Sequence, residues 1–271
     1  MLKKGIISAL GVLLVSMHSA ALPTQAADIR VSSQASAPQS IASSPNALAI
    51  PTNPAYGTRQ EVPKGSALPA GWVVTAYYTS TMVIMYTGGA GYGASITIAN
   101  TSPIPSGWVI THALMGNGFI IMYTGGAAFG ASITIANTSP IPENWVITNA
   151  LSGNGFIITY AGGAAFGANI TIANTSPIPA NWVITNALMG NGFIITYAGG
   201  APFGANLMIS NTSPIPAGWV ITNFYGNGFM IANANGARVG ASMMILNTSP
   251  IPAGWVITSS YSGGRVITYK G

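Results

Sequence analysis

The stretch that decides the fold of this chain runs from Trp182 to Tyr197: Trp182-Val-Ile-Thr-Asn-Ala-Leu188, then Met-Gly-Asn191-Gly, then Phe193-Ile-Ile-Thr-Tyr197. β-Branched and aromatic residues on both sides of a Gly-Asn-Gly turn are typical of two short strands joined by a tight hairpin connection. We call them strand one and strand two. A third extended segment, Ala168-Asn-Ile-Thr-Ile-Ala-Asn174, is strand three. It is followed by Thr-Ser-Pro-Ile-Pro, whose prolines exclude a central strand and indicate an extended connection.

This pattern occurs six times in tandem. The tryptophan that opens strand one recurs at intervals of 36 or 37 residues, as Trp72, Trp108, Trp145, Trp182, Trp219 and Trp255. A period of this length is typical of repeat architectures. Because each tryptophan adjoins an apolar Val-Val or Val-Ile pair, we predict that the six rings are the structural anchors of their repeats.

The repeats predict an all-β domain of six units of about 37 residues, each a three-stranded meander followed by a Pro-rich connection. Strand two carries apolar side chains on both faces, since Phe156 and Ile158 alternate with Ile157, so neighbouring repeats must cover both faces. Strands one and two can be found six times but strand three only five times. We therefore expect an N-terminal segment, Ile29–Val31 or Ala47–Ile50, to complete the sixth unit. Such closure favours a closed six-fold propeller-like array, with a β-solenoid or two three-fold β-prisms as alternatives.

Three regions follow one another along the chain. Residues 1–26 have the basic start, the apolar run Ile6–Val15 and the small residues of a secretory signal peptide. Residues 27–62 are rich in Ser, Ala and Pro and are predicted to be a flexible linker or closing arm. Residues 63–271 form the six-repeat β domain. We expect a bacterial protein that is secreted or held at the cell surface, without a transmembrane segment.

Charged residues are scarce, at 4% of the chain against about a quarter in an average protein. The few Lys and Arg residues are scattered, which argues against nucleic-acid binding, since that requires a basic face. Glu143 is the only charged residue between Trp72 and Ala237, and its counterparts in the other copies are Ala or Ser. His112 is the only histidine after the signal segment, and Asn holds its position in three other copies. We predict no catalytic residue, no metal site, no cofactor and no enzymatic activity.

Two turns supply the candidate ligand-binding residues. The wide turn after strand two carries an aromatic residue in four copies, and an aromatic ring at a turn tip is available to a ligand: Tyr92, Phe129, Phe166 and Phe203. The tight turn between strands one and two carries an asparagine in four copies: Asn117, Asn154, Asn191 and Asn227. The recurring Asn-Thr-Ser-Pro sequence is interpreted as a strand-ending turn in which Asn and Ser cap backbone groups.

These features predict a secreted, multivalent binding protein that recognises glycans or a cell-surface polysaccharide through equivalent sites on each repeat, as a lectin or adhesin does. Linked repeats raise the apparent affinity of weak single sites. One alternative is a self-assembling extracellular structural or matrix protein, because low charge removes the repulsion that opposes self-association. A third is an ice-binding surface, suggested by the threonines in the Ile-Thr-Ile strands.

Overall fold

A computed structural model of the chain describes residues 50–116, 118–153, 155–190 and 192–271. The predicted signal segment, most of the predicted linker and the candidate closing strand Ile29–Val31 lie outside these residues. The described residues form eighteen strands and no helix. The strands are β1 Arg59–Pro63, β2 Trp72–Tyr77, β3 Thr81–Tyr86, β4 Ser95–Ile98, β5 Trp108–Leu114, β6 Gly118–Tyr123, β7 Ser132–Ala136, β8 Trp145–Leu151, β9 Gly155–Tyr160, β10 Asn169–Ala173, β11 Trp182–Leu188, β12 Gly192–Tyr197, β13 Asn206–Ser210, β14 Trp219–Tyr225, β15 Gly228–Asn233, β16 Ser242–Leu246, β17 Trp255–Tyr261 and β18 Gly264–Tyr269.

The strands form six three-stranded antiparallel sheets, which we number 1 to 6 along the chain. Their strand orders are β1-β3-β2, β4-β6-β5, β7-β9-β8, β10-β12-β11, β13-β15-β14 and β16-β18-β17. Strand two of a repeat is always central, and the other two strands form the edges. The predicted all-β class, with six repeats of three short strands, is confirmed.

Strand three pairs differently from the prediction. In sheet 4, β10 pairs with β12 of the following repeat and not with β9, which precedes it in the chain. The three-stranded meander is therefore wrong. The wide turn after β9 carries the chain to the next sheet, where the Gly167 N–H donates to the Tyr197 carbonyl at 2.9 Å. Each sheet is built from strand three of one repeat and strands one and two of the next.

The same grouping changes the count at the two ends. Sheet 6 is completed by β16, so the expectation that the sixth unit lacks a third strand is wrong. The copy of strand three that was missing from the sequence count is β1, the first strand that the structure describes, which pairs with β3. Its residues Arg59 to Val62 belong to the segment that the sequence assigned to the linker. Their Arg-Gln-Glu-Val sequence lacks the Ile-Thr-Ile pattern of the other copies.

A serine of each later repeat joins successive sheets. Strand one has a register irregularity after its third residue, as between Ile184 and Asn186. The Ile184 N–H donates to the Ser213 hydroxyl of the following repeat at 2.8 Å, and that hydroxyl donates to the Pro214 carbonyl. The predicted capping of backbone groups in the Asn-Thr-Ser-Pro turn is thus confirmed for the serine, whereas the asparagine side chains, such as that of Asn174, make no hydrogen bond within the described residues. The five amide–serine pairs are Val74–Ser102, Ile110–Ser139, Ile147–Ser176, Ile184–Ser213 and Ile221–Ser249.

The hydrophobic core is divided among the interfaces between sheets. Val146 of sheet 3 packs into a cluster with Ile170, Ile172 and Trp182 of sheet 4. The equivalent valines Val73, Val109, Val183 and Val220 are likewise fully buried. Burying one such side chain contributes about 1.5–3 kcal/mol, so each interface stabilises both of the sheets that it joins.

The contacts between sheets describe an open array. Contacts between strands of different sheets join β2 to β4, β5 to β7, β8 to β10, β11 to β13 and β14 to β16. Among the described residues, no strand of sheet 6 contacts a strand of sheet 1. Closure into a ring is therefore not observed. Two three-fold prisms would require a boundary between sheets 3 and 4, but these sheets are in contact like every other neighbouring pair. The solenoid alternative fits this pattern of contacts.

The serine link can be tested with a matched pair of variants. Ser176→Ala leaves the Ile147 N–H at the interface without its acceptor, which costs about 1–3 kcal/mol and lowers the melting temperature. Ser66 also lies six residues before its tryptophan, but it is exposed, and its hydroxyl has no hydrogen bond within the described residues. In dilute protein, where no second copy is bound, Ser66→Ala should leave the melting temperature unchanged. Equal effects of the two substitutions in thermal unfolding would contradict this role.

Candidate functional site

The register of the strands gives every sheet two distinct ends. In sheet 4, Trp182 pairs with Tyr197 at one end and Leu188 pairs with Gly192 at the other. The predicted aromatic turn residues follow strand two and therefore lie at the tryptophan end. Asn227, the one predicted asparagine among the described residues, precedes strand two of sheet 5 and lies at the opposite end. The structure does not bring Asn227 to the predicted aromatic residues.

The six tryptophans are interior residues. Their exposed fractions are only 2–6%. Five of them pack against the tyrosine that ends strand two of the same sheet, with ring centroids 5.4–5.6 Å apart. Their faces are therefore not available to a ligand.

Sheet 5 departs from this arrangement. Asn233 holds the tyrosine position beside Trp219, and its amide donates to the Ala201 and Pro202 carbonyls. A cavity of about 620 Å³ lies here, between the Pro-rich connections of the last two repeats and beside Asn235. Asn233 and Asn235 replace the Tyr and the Gly that the other repeats have at these positions. These replacements are visible in the sequence, but the cavity could not be deduced from them.

The predicted aromatic turn residues lie between sheets. Phe166, in the turn from sheet 3 to sheet 4, stacks on Trp219 of sheet 5, with centroids 6.4 Å apart and planes inclined by 30°. Phe129 and Phe203 stack in the same way on Trp182 and Trp255. Tyr92 and the three phenylalanines are 37–45% exposed. One part of each phenylalanine ring therefore packs on an indole while the rest faces solvent.

Of the predicted asparagines, only Asn227 can be placed, because Asn117, Asn154 and Asn191 lie outside the described residues. Asn227 lies in the turn between β14 and β15, where its carbonyl accepts the Asn211 N–H at 3.1 Å. It also lines the groove between sheets 4 and 5.

Grooves lie between four pairs of successive sheets. Those between sheets 2 and 3, 3 and 4, and 4 and 5 have volumes of about 820, 680 and 410 Å³ and carry a polar His or Asn side chain on one wall. The groove between sheets 1 and 2, of about 550 Å³, has Ala76 at that position and is also lined by Arg59. One wall is the second half of strand one, and the other is strand three of the next sheet. The first wall is Thr111-His112-Ala113, Thr148-Asn149-Ala150 or Thr185-Asn186-Ala187, and it faces Thr134, Thr171 or Met208, respectively. Sequence reasoning missed these grooves because their walls come from different repeats.

The groove walls combine free polar groups with apolar surface. The Asn149 amide and the Thr171 hydroxyl are exposed and make no hydrogen bond within the described ranges. Thr148, in contrast, donates to the Ile157 carbonyl at 3.2 Å. Phe156 and Leu188 supply apolar surface beside these polar groups, and Leu188 is 38% exposed. The groove can therefore exchange hydrogen bonds with a neutral polar ligand and cover part of its apolar surface.

Ionisable groups are sparse in the part of the chain that the structure describes. Glu61 and Glu143 are both exposed, and Glu61 accepts a hydrogen bond from the Thr81 hydroxyl. No group of three or more His, Asp or Glu side chains in these ranges could hold a metal ion. The same ranges contain no helix long and apolar enough to cross a membrane.

The stacking role of the turn phenylalanines has its own test. Phe166→Ala should lower the melting temperature, because the ring loses its contact with Trp219, and such pairs contribute about 0.5–1.5 kcal/mol beyond their buried area. Val239, the fifth-copy counterpart, lies in the turn from sheet 5 to sheet 6 and is 72% exposed. The described residues contain no sheet beyond sheet 6 on which it could stack. Val239→Ala is therefore the matched control and should have no effect on thermal unfolding. An unchanged melting temperature for Phe166→Ala would show that the ring is free for another purpose.

Comparison with protein-family models, with curated proteins and with solved structures finds no match to this chain. Residue roles therefore cannot be transferred from a relative. The functional argument rests on the repeated grooves and on the ends of the array.

Proposed function

We propose that the protein is a non-catalytic, multivalent carbohydrate-binding protein that acts outside the cell, and that the grooves between successive sheets are its equivalent sites. The recurrence of one groove at three successive interfaces carries this proposal. A binding site used several times on one ligand must be repeated with similar chemistry, and each of these three grooves has a threonine followed by a His or Asn on one wall.

The chemistry of the groove walls suits neutral sugars. Threonine hydroxyls and asparagine amides both donate and accept hydrogen bonds, as sugar hydroxyls do. Phe156 and Leu188 offer apolar surface to the C–H groups of a sugar ring. Without a lining carboxylate or cationic Lys or Arg in the groove of Asn149, an ionic ligand would gain no charge pairing there.

Repetition would compensate for weak individual sites. Shallow, exposed grooves bind single sugars weakly because they bury little ligand surface. A polysaccharide that reaches two or three grooves on one chain gains apparent affinity by linkage of the sites. We therefore expect long glycans to bind far better than the monosaccharides from which they are built.

The test is calorimetric titration of the folded protein with ligands chosen from a glycan array. Combined substitution of His112, Asn149 and Asn186 by alanine alters all three grooves, and should weaken polysaccharide binding on the order of 10²-fold as the linked sites are lost. Ala76 already occupies this position in the first copy, so the substitutions should not prevent folding.

Ser259→Ala is the matched control. Ser259 holds the same position in the sixth copy, where no following sheet forms a second wall, so its substitution should leave binding unchanged. A folded protein that binds nothing across the array, or equal losses in the triple variant and the control, would contradict the proposal.

A further inference from the structure

The outer edge of sheet 6 exposes residues that are buried in every other sheet. Val256 is 43% exposed and Ile257 is 45% exposed, whereas their counterparts in sheet 5, Val220 and Ile221, are 0% and 4% exposed. The sequence Trp-Val-Ile-Thr is the same in both sheets. The difference therefore arises from the missing neighbour and not from the residues.

The five internal interfaces indicate what would cover this edge. In each, a following sheet packs its strand three on the valine and offers a serine hydroxyl to the next amide, as Ser249 does for Ile221 at 2.8 Å. Between the first two sheets, the Ala99 N–H also donates to the Val74 carbonyl at 2.8 Å. Within the described ranges, no serine hydroxyl reaches the Ile257 amide.

Sheet 1 presents the matching surface at the other end of the array. Ser66 lies six residues before Trp72, as Ser102 lies six residues before Trp108. The two serines lie in equivalent turns of their repeats. The Ser66 N–H donates to the Pro63 carbonyl at 3.1 Å, and the Ser102 N–H donates to the Ala99 carbonyl at 3.0 Å. Ser102 is buried against sheet 1, whereas Ser66 is exposed. The turn of Ser66 therefore has the geometry of the serine turns that join successive sheets, but no sheet in the described part of the same chain lies against it.

One side chain already covers the apolar face of sheet 1. Ile50 packs against the cluster that contains Val62, Trp72 and Ile84. In the other five sheets, the corresponding cluster includes a valine of the preceding sheet, such as Val146 beside Trp182. Ile50 lies outside any strand and is half-buried, so it is a small cap that a valine from another sheet can replace.

The two charges of β1 do not oppose such a contact. Arg59 and Glu61 hold the positions of Ser95 and Thr97 in strand three, and all four residues are exposed. Thr97 stays exposed although sheets 1 and 2 are in contact. A sheet packed on β1 in the same way would therefore leave the Glu61 carboxylate in water, without the cost of burying an unpaired charge.

We propose that the protein associates head to tail with a second copy of itself: sheet 1 of one copy covers the outer edge of sheet 6 of another, with Val256 in the place of Ile50 and Ser66 accepting the Ile257 N–H. The contact repeats the valine packing and the serine link of the interface between successive sheets. It lacks a counterpart of the Ala99 N–H bond to Val74, because Pro63 holds the position of Ala99 and has no N–H. Since it uses two different surfaces, it leaves one free edge at each end of every complex, and growth is open-ended.

Sedimentation velocity over a concentration series tests this on the chain with and without the predicted signal segment. The mass of both forms should rise with concentration beyond that of a dimer. Val256→Asp should abolish the rise, whereas Met189→Asp, which adds the same charge at a fully exposed turn residue, should not. Ile50→Ser should shift association to lower concentration, because the cap that competes with Val256 is weakened. A wild-type chain and an Ile50→Ser chain that both stay monomeric throughout would overturn the proposal.

A mixing experiment separates this arrangement from pairing of two sixth sheets. Ser66→Arg blocks the head, and Val256→Asp blocks the tail. Each variant alone should be monomeric, and an equimolar mixture should form a dimer and nothing larger. If Ser66→Arg alone forms dimers while Val256→Asp does not, the sixth sheets pair with each other and the head-to-tail contact is refuted.

Discussion

The structure depends on one constraint: a three-stranded sheet with apolar side chains on both faces cannot be stable alone. Each sheet must be covered by its neighbours. Strand one is an edge of its sheet, so its outward amides need partners outside the sheet, and a serine of the next repeat accepts one of them, as Ser213 does for Ile184. That polar link orients the next strand three over the valine beside it. The cover and the hydrogen bond come from the same few residues, which explains why the array holds together without disulfides.

Local signals in the sequence were sufficient for the strands and insufficient for their partners. The Gly-Asn-Gly turns and the alternation of residues such as Phe156 and Ile157 defined strands one and two almost to the residue. Nothing in Asn169–Ala173 distinguishes pairing with β9 from pairing with β12, because both central strands carry the same sequence pattern. The first copy of strand three was missed because Arg59, Gln60 and Glu61 replace the expected Ser-Ile-Thr residues, although Val62 keeps the buried position.

The candidate site shows the same limit. Aromatic and asparagine turns could be found in a single repeat, and the structure places the aromatic residues at one end of the sheets and Asn227 at the other. The grooves combine Asn149 from one repeat with Thr171 from the strand that follows in the next sheet, so no single repeat contains them. The state of the array's ends was also hidden, since Val256 and Val220 have identical sequence surroundings and differ only in what lies beyond them.

The division of every sheet between two repeats has a consequence for how such a protein changes over generations. Recombination between any two copies of the repeat in the gene removes or adds one full period, and the new junction reunites strand three of one copy with strands one and two of another. The sheet formed at that junction has the same register, serine link and valine contact as its parents. The number of sheets can therefore drift while the fold of each one is conserved, and the length of the array becomes a property that selection can adjust separately from its stability.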